Sequence, residues 1–410
     1  MQPNQFRRIW AGFGGLLFLV TWRLWIPQAT FPQIPFVAAL VNTPRYVDWL
    51  AILAITAALL LIGFSTADRV WRIAMVMFAV AATLLVLLNQ HRFQPWTYQF
   101  VIFAVIMAGC RDKSALRLMR WVTVSIYIYS AVSKFDYQFL HSLGPQFVAT
   151  LTSFIGIRSA DWREHSQVAI AVLLPLTELL VGIGLLVPRT RQAAAYVAIG
   201  LHTLLLLILG PWGLSHQPGV LVWNLFFIAQ AWVLFGRCER DAVTTQSATR
   251  ELTRGEMLSY LLAGIVIVLP ASEPLGYCDH WAAWELYSPR SSRAQVAIHE
   301  SVVDRLPTEI QEQLSPAIDR DDWQQLPLDR WSLDSLSVPI YPEDRFQIGV
   351  ALALAERYDL RLAILVTRQS ASDRWTGERA THSFVGHDQL TTLRSDFLLS
   401  IDARPIWSED

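Results

Sequence analysis

Long apolar runs separated by short polar turns fill the first two thirds of the chain. A helix needs about 20 mainly apolar residues to cross a bilayer, and somewhat shorter runs are tolerated. By that rule the runs 9–27, 48–65, 71–89, 96–110, 116–135, 167–188, 192–210, 218–236 and 257–272 are candidate spans, the fourth and ninth being the shortest. Arg7 and Arg8 precede the first run as they would in a signal peptide. That run continues through Val20, Trp22 and Trp25 to Ile26 without a small-x-small cleavage site, so it reads as a retained span.

From about Ser272 the pattern changes. Charged residues become frequent and no later run could span a membrane. Arg293–Glu300 alternates like a strand, and Ser337–Tyr341 and Leu360–Thr367 are β-type runs. Thr308–Ile318, Pro342–Tyr358 and Gln389–Leu399 have helical spacing. The expectation is a polytopic α-helical membrane protein of about nine spans over residues 1–272, with a small soluble C-terminal α/β domain over 273–410.

Charge adds a topology. Arg7 and Arg8, then Arg69 and Arg72, the cluster Arg111, Lys113, Arg117 and Arg120, then Arg189 and Arg191, and finally Arg237–Arg254 all fall on one side of the nine-span map. The opposite loops hold only Arg45, Arg92, Arg158 and Arg163. The positive-inside rule then puts the N-terminus in the cytoplasm and the C-terminal domain outside, with the cell inner membrane the expected location. Tryptophans near span ends, such as Trp25, Trp49, Trp96 and Trp212, suit the membrane interface.

A net charge of −1 implies no nucleic-acid partner. Cys110, Cys238 and Cys278 lie far apart and form no disulfide framework or C-x-x-C motif. The nine histidines follow no ligand spacing, so no metal site is expected, Cys278-Asp279-His280 being the only short cluster of note. Gly12-Phe-Gly14-Gly15 lies inside a span with no strand before it, which favours helix packing over a dinucleotide loop.

Ionisable groups within spans are the candidates for chemistry, because burying a charge in hydrocarbon is costly and such groups usually face the bundle interior. They are Arg23, Lys134, Glu178 and His202, with Asn224 as a polar companion. The chain has only two lysines, Lys113 and Lys134, and Lys134 closes an apolar run that begins at Trp121. Ser130 and Tyr127 lie one and two turns before it on the same helical face. A lysine shielded from water can serve as a base. Alternatively it snorkels to the headgroups or pairs with Asp136. Glu178 follows Pro175, whose missing N–H frees a carbonyl and can kink the span. It reads either as a functional acid or as a structural group, bonded to a neighbouring helix or paired with Arg23. His202 reads as an interhelical hydrogen bond or a proton relay. The polar loop Asn89–Trp96 places His91 at the outer depth of Lys134, so His91 is either its partner or a solvated loop histidine.

Tyr127-Ile-Tyr-Ser-Ala-Val-Ser-Lys134-Phe-Asp136, followed by Leu176-Thr-Glu178-Leu, resembles the membrane domain of the vitamin K-dependent gamma-glutamyl carboxylases and the horizontally transferred transmembrane (HTTM) family around them. More distantly, the chain is similar to DoxX and MauE-like membrane proteins with a four-helix core. The resemblance implies that Lys134 is the base that deprotonates a hydroquinone. It also implies that His91, in Asn89-Gln90-His91, helps hold that lysine, and that Glu178 and His202 shape the site. The cofactor it implies is a quinone or hydroquinone. The sequence departs from those enzymes in having Ser133-Lys134 where they carry a lysine pair, and in its much shorter C-terminal domain. The partners expected are therefore the lipid bilayer and a lipophilic small molecule. The alternative is a non-enzymatic anchor that presents the outer domain to a periplasmic protein.

Overall fold

The computed structural model describes residues 3–236, 251–316 and 322–405. Most of the polar loop expected at 237–254, with Cys238, and the end of the helix expected at 308–318 lie outside the described residues. Each apolar run of the sequence forms helix. The helices are α1 (Pro3–Val20), α2 (Trp22–Trp25), α3 (Tyr46–Phe64), α4 (Asp68–Leu88), α5 (Pro95–Gly109), α6 (Asp112–Ser133), α7 (Gly144–Ser153), α8 (Glu164–Ala171), α9 (Leu173–Leu186), α10 (Arg191–Leu209), α11 (Pro218–Phe235) and α12 (Arg254–Val268).

Among the described residues, six helical segments are long and apolar enough to cross a membrane: 46–64, 68–88, 164–186, 191–209, 218–235 and 254–275. The full set of nine does not meet that standard. Asp112, Lys113, Arg117 and Arg120 load the first turns of α6, Arg7 and Arg8 load α1, and α5 has only 15 residues. In Tyr46–Phe64, 164–186 and 254–275 only 28% of the apolar window is buried. Side chains such as Leu53, Phe64, Leu180, Ile183 and Leu261 therefore face outward. So much exposed aliphatic surface on long helices requires a lipid surrounding. The protein is an integral membrane protein.

Contacts divide the chain into two units. Unit one comprises Met1–Leu17, Ala54–Val80 and Pro95–Pro289. Its core includes an aromatic column in which Trp10 packs on Phe78 at 4.9 Å and on Phe100 at 5.1 Å, with Phe226 4.8 Å beyond Phe100. Gly14 packs against Phe100 and Leu59, where a Cβ would sit 3.0 Å and 3.2 Å away, whereas Gly12 and Gly15 have nothing within 4 Å, so of the three only Gly14 serves close packing.

Unit two comprises Phe18–Leu53, Ala81–Gln94 and Arg290–Asp410. Its sheet is antiparallel, built from β1 (Arg293–His299), β2 (Trp323–Leu326), β3 (Ile364–Gln369) and β4 (Thr381–Val385) in the order β2-β1-β3-β4. Val296 stands opposite both Leu326 and Val366, and Val366 opposite Phe384. Three short helices, α13 (Thr308–Gln311), α14 (Leu328–Leu336) and α16 (Gly386–Thr392), accompany the longer α15 (Asp344–Arg357). α15 buries Phe346, Ile348, Val350, Leu352 and Leu354, and its Gln347 Oε1 accepts from the Ala294 N–H at 2.8 Å. The strand expected at Ser337–Tyr341 does not form. Ser337 takes a left-handed φ of 58° to end α14, and Pro339 has no N–H to give a ladder.

Candidate functional site

Unit one brings Lys134 and Glu178 together. Lys134 follows the last turn of α6, and its Nζ donates to Ser130 O at 2.9 Å, to Ser130 Oγ at 2.6 Å and to Glu178 Oε2 at 2.7 Å. A cation at a helix C-terminus, bonded to a carbonyl of the final turn, is favoured by the helix dipole. The two side chains are 8% and 17% exposed, so this is a largely buried ion pair. Asp136, weighed as the alternative partner, instead accepts the Phe139 N–H at 3.0 Å and starts the next turn.

The approach of α6 to α9 depends on Gly182, one turn after Glu178. A Cβ there would lie 2.9 Å from Ile128 Cγ1 and 3.2 Å from Tyr127 Cβ. The segment 164–186 breaks at Val172, between α8 and α9. Pro175 cannot donate to the carbonyl of Ala171, so the ladder is interrupted one turn below Glu178.

His202 and Asn224 complete a second chain of bonds. Asn224 Nδ2 donates to Val220 O at 2.9 Å, which leaves its Oδ1 to accept from His202 Nδ1 at 2.8 Å. His202 Nε2 then accepts the Tyr127 hydroxyl at 2.8 Å. A neutral imidazole satisfies both bonds with one N–H and one lone pair. Phe227 stacks on the ring at 4.6 Å with planes 8° apart.

Lys134, Glu178, Ser130, Tyr127, His202 and Asn224 all line one cavity of about 60 Å³. Its remaining walls are apolar or aromatic, among them Phe147, Trp223, Phe227 and Leu286. Tyr287 also lines it, and burial pushes that phenol well above its ordinary pKa, so it presents a neutral hydroxyl. The space is roomy enough for water or a small ligand group, with charge confined to one patch.

His91 is held elsewhere and is not among the cavity residues. The ring belongs to unit two, fully buried between Phe31 and Phe346. Its Nε2 lies 3.1 Å from Ser332 Oγ and 3.2 Å from Pro339 O. Ser332 already donates to Val338 O at 2.7 Å, so Nε2 carries the proton. Burial pushes the His91 pKa down to about 4. Within unit two these partners hold a fully buried ring, so His91 is not a solvated loop histidine. Arg23 is exposed in α2, with its guanidinium over the Trp22 ring at 5.8 Å.

Two clusters escaped the sequence reading. In unit two, Asp48 is gripped by Arg92 NH1 at 2.5 Å and by Arg404 NH2 at 2.8 Å. In unit one, Glu273, His280 and Glu285 converge, although their spacing along the chain matches no ligand motif. His280 from the short Cys278–His280 cluster was the one signal that could have drawn attention there.

These features define a membrane helical protein with a largely buried ionic pair bordering a cavity. Residues 112–220 match the family model described as "Methylamine utilisation protein MauE". That segment carries Lys134, Glu178 and His202, and the match supports a MauE/DoxX-like membrane family for it. No curated protein and no solved structure matches the chain.

Proposed function

We propose that unit one performs lysine-base chemistry on a lipophilic hydroquinone-type molecule that reaches the cavity from the bilayer. The supporting observation is the 2.7 Å contact between Lys134 Nζ and Glu178 Oε2, the charged patch of a cavity whose other polar lining groups are neutral. At that distance the ammonium proton can pass to the carboxylate, leaving a neutral amine and a neutral acid. The amine then takes the phenolic proton of the hydroquinone, and Lys134 becomes the ammonium again while the substrate becomes its anion. Ser130 keeps the amine in place throughout. The Tyr127–His202–Asn224 chain fixes the opposite wall, and its neutral histidine offers no competing charge.

The test uses full-length protein in nanodiscs with reduced quinones of graded tail length. Loss of turnover in Lys134→Ala and retention of bound quinone would support the reading. Equal turnover in wild type and variant, or none in either, would overturn it.

A second reading, which the match to a methylamine utilisation family does not contradict, makes the chain a non-enzymatic membrane component that serves a periplasmic partner. The Lys134–Glu178 pair is then an interhelical tie. In that case Lys134→Ala leaves cellular function intact, while removal of residues 290–410 abolishes it. For both readings the proposed orientation is an N-terminus in the cytoplasm and a C-terminal segment outside the cell inner membrane.

A further inference from the structure

Glu273, His280 and Glu285 form a buried cluster that the proton chemistry does not use. Each is more than nine-tenths buried. One ligand atom from each lies within 4.8 Å of the other two. His280 Nε2 is 3.3 Å from Glu273 Oε1 and 3.5 Å from Glu285 Oε2. Charge-assisted hydrogen bonds are shorter, about 2.7–2.9 Å. The two histidine–carboxylate spacings match the edge of a coordination tetrahedron, because metal–N and metal–O bonds of about 2.0–2.1 Å set neighbouring donors about 3.3 Å apart. One imidazole with two carboxylates suits a first-row divalent cation such as Zn²⁺ or Mn²⁺, with no thiolate to select a softer ion.

We propose that Glu273, His280 and Glu285 hold a divalent cation, with water completing the coordination. The ion's role is to order the segment that walls the Lys134 cavity. Glu285 leads directly into Leu286 and Tyr287, both of which line that cavity. The same stretch carries two aromatic residues in left-handed backbone, Trp284 with φ 61° and Tyr287 with φ 57°. Residues other than glycine rarely adopt that conformation, and it persists only where the surroundings hold it. A cation tied to residues 273, 280 and 285 fixes the chain on both sides of Trp284. The site is independent of whether Lys134 acts as a base.

The test takes full-length, untagged protein in detergent, strips it with a chelator, and returns Zn²⁺ or Mn²⁺ alone. The expected result is one ion per chain by elemental mass spectrometry, with a melting temperature raised by several degrees. Both effects should be lost in Glu273→Gln and His280→Ala, whose stripped forms should melt with stripped wild type. Wild type that retains no ion, or variants that retain it unchanged, would overturn the proposal. If the variants fail to fold, Co²⁺ added to stripped wild type decides the matter. An intense visible band of low-symmetry four-coordinate cobalt supports the site, and the weak spectrum of the free aqua ion overturns it.

Discussion

The two units bury ions in opposite ways. In unit two, Asp48 accepts Arg92 on one oxygen and Arg404 on both, and the guanidiniums spend further donors on backbone carbonyls. Arg92 reaches Leu24 O at 3.1 Å and Trp25 O at 2.8 Å, and Arg404 reaches Thr43 O at 2.8 Å. The group is almost fully enclosed, with Asp48 and Arg92 wholly buried. In unit one, Lys134 meets a single carboxylate beside an open volume. A saturated ionic knot can only hold the chain together. A pair bordering empty space can exchange partners or protons, and that difference marks Lys134–Glu178 as the functional candidate.

Breaking the knot should have the largest effect. Asp48→Ala strands two buried guanidiniums, with an expected loss of about 3–5 kcal/mol, seen as a sharply lowered melting temperature. Breaking the pair should strike activity before stability. Lys134→Ala should lower quinone-dependent turnover about 10²-fold or more, and Lys134→Arg should not restore it, because a guanidinium does not give up its proton. A large melting shift with unchanged turnover would class this pair with the knot.

A third test uses pH and unit two alone. His91 titrates near 4 when folded and near 6.5 in an open chain, so between those values the unfolded state binds more protons. Stability therefore falls as pH drops from 6.5 toward 4, by about 2 kcal/mol at pH 5. Melting curves across that range should show the slope in wild type and lose it in His91→Asn. The smallest effect is expected for Tyr127→Phe. It removes one hydrogen bond to His202, costing about 1 kcal/mol, and should leave the Lys134–Glu178 contact and its turnover nearly intact.

What could be read from the sequence follows from what each feature costs. Helices of unit one were visible because bilayer burial demands long apolar runs. Lys134, Glu178 and His202 stood out because a charge or imidazole within such a run is expensive and rare. Ser130 and Tyr127 followed from helical spacing alone. Partners distant along the chain were invisible: Asp48 and Arg404 stand 356 residues apart, and no local pattern links them. The partners of His91 within unit two, Ser332 and Pro339, lie more than 240 residues away and were equally invisible. In the C-terminal segment the edge strands β2 and β4 and the helix α14 were missed, since short amphipathic elements depend on the sheet they join.

Gly182 bears on how closely the buried ion pair is drawn together. The hydrogen in place of a side chain there sets the width of the seam between α6 and α9, and with it the reach from Nζ to Oε2. A methyl group at that position would act as a wedge, lengthening the contact without altering either charged residue. The reach of Lys134 to Glu178 is thus set by a spacer as much as by the two charged side chains themselves.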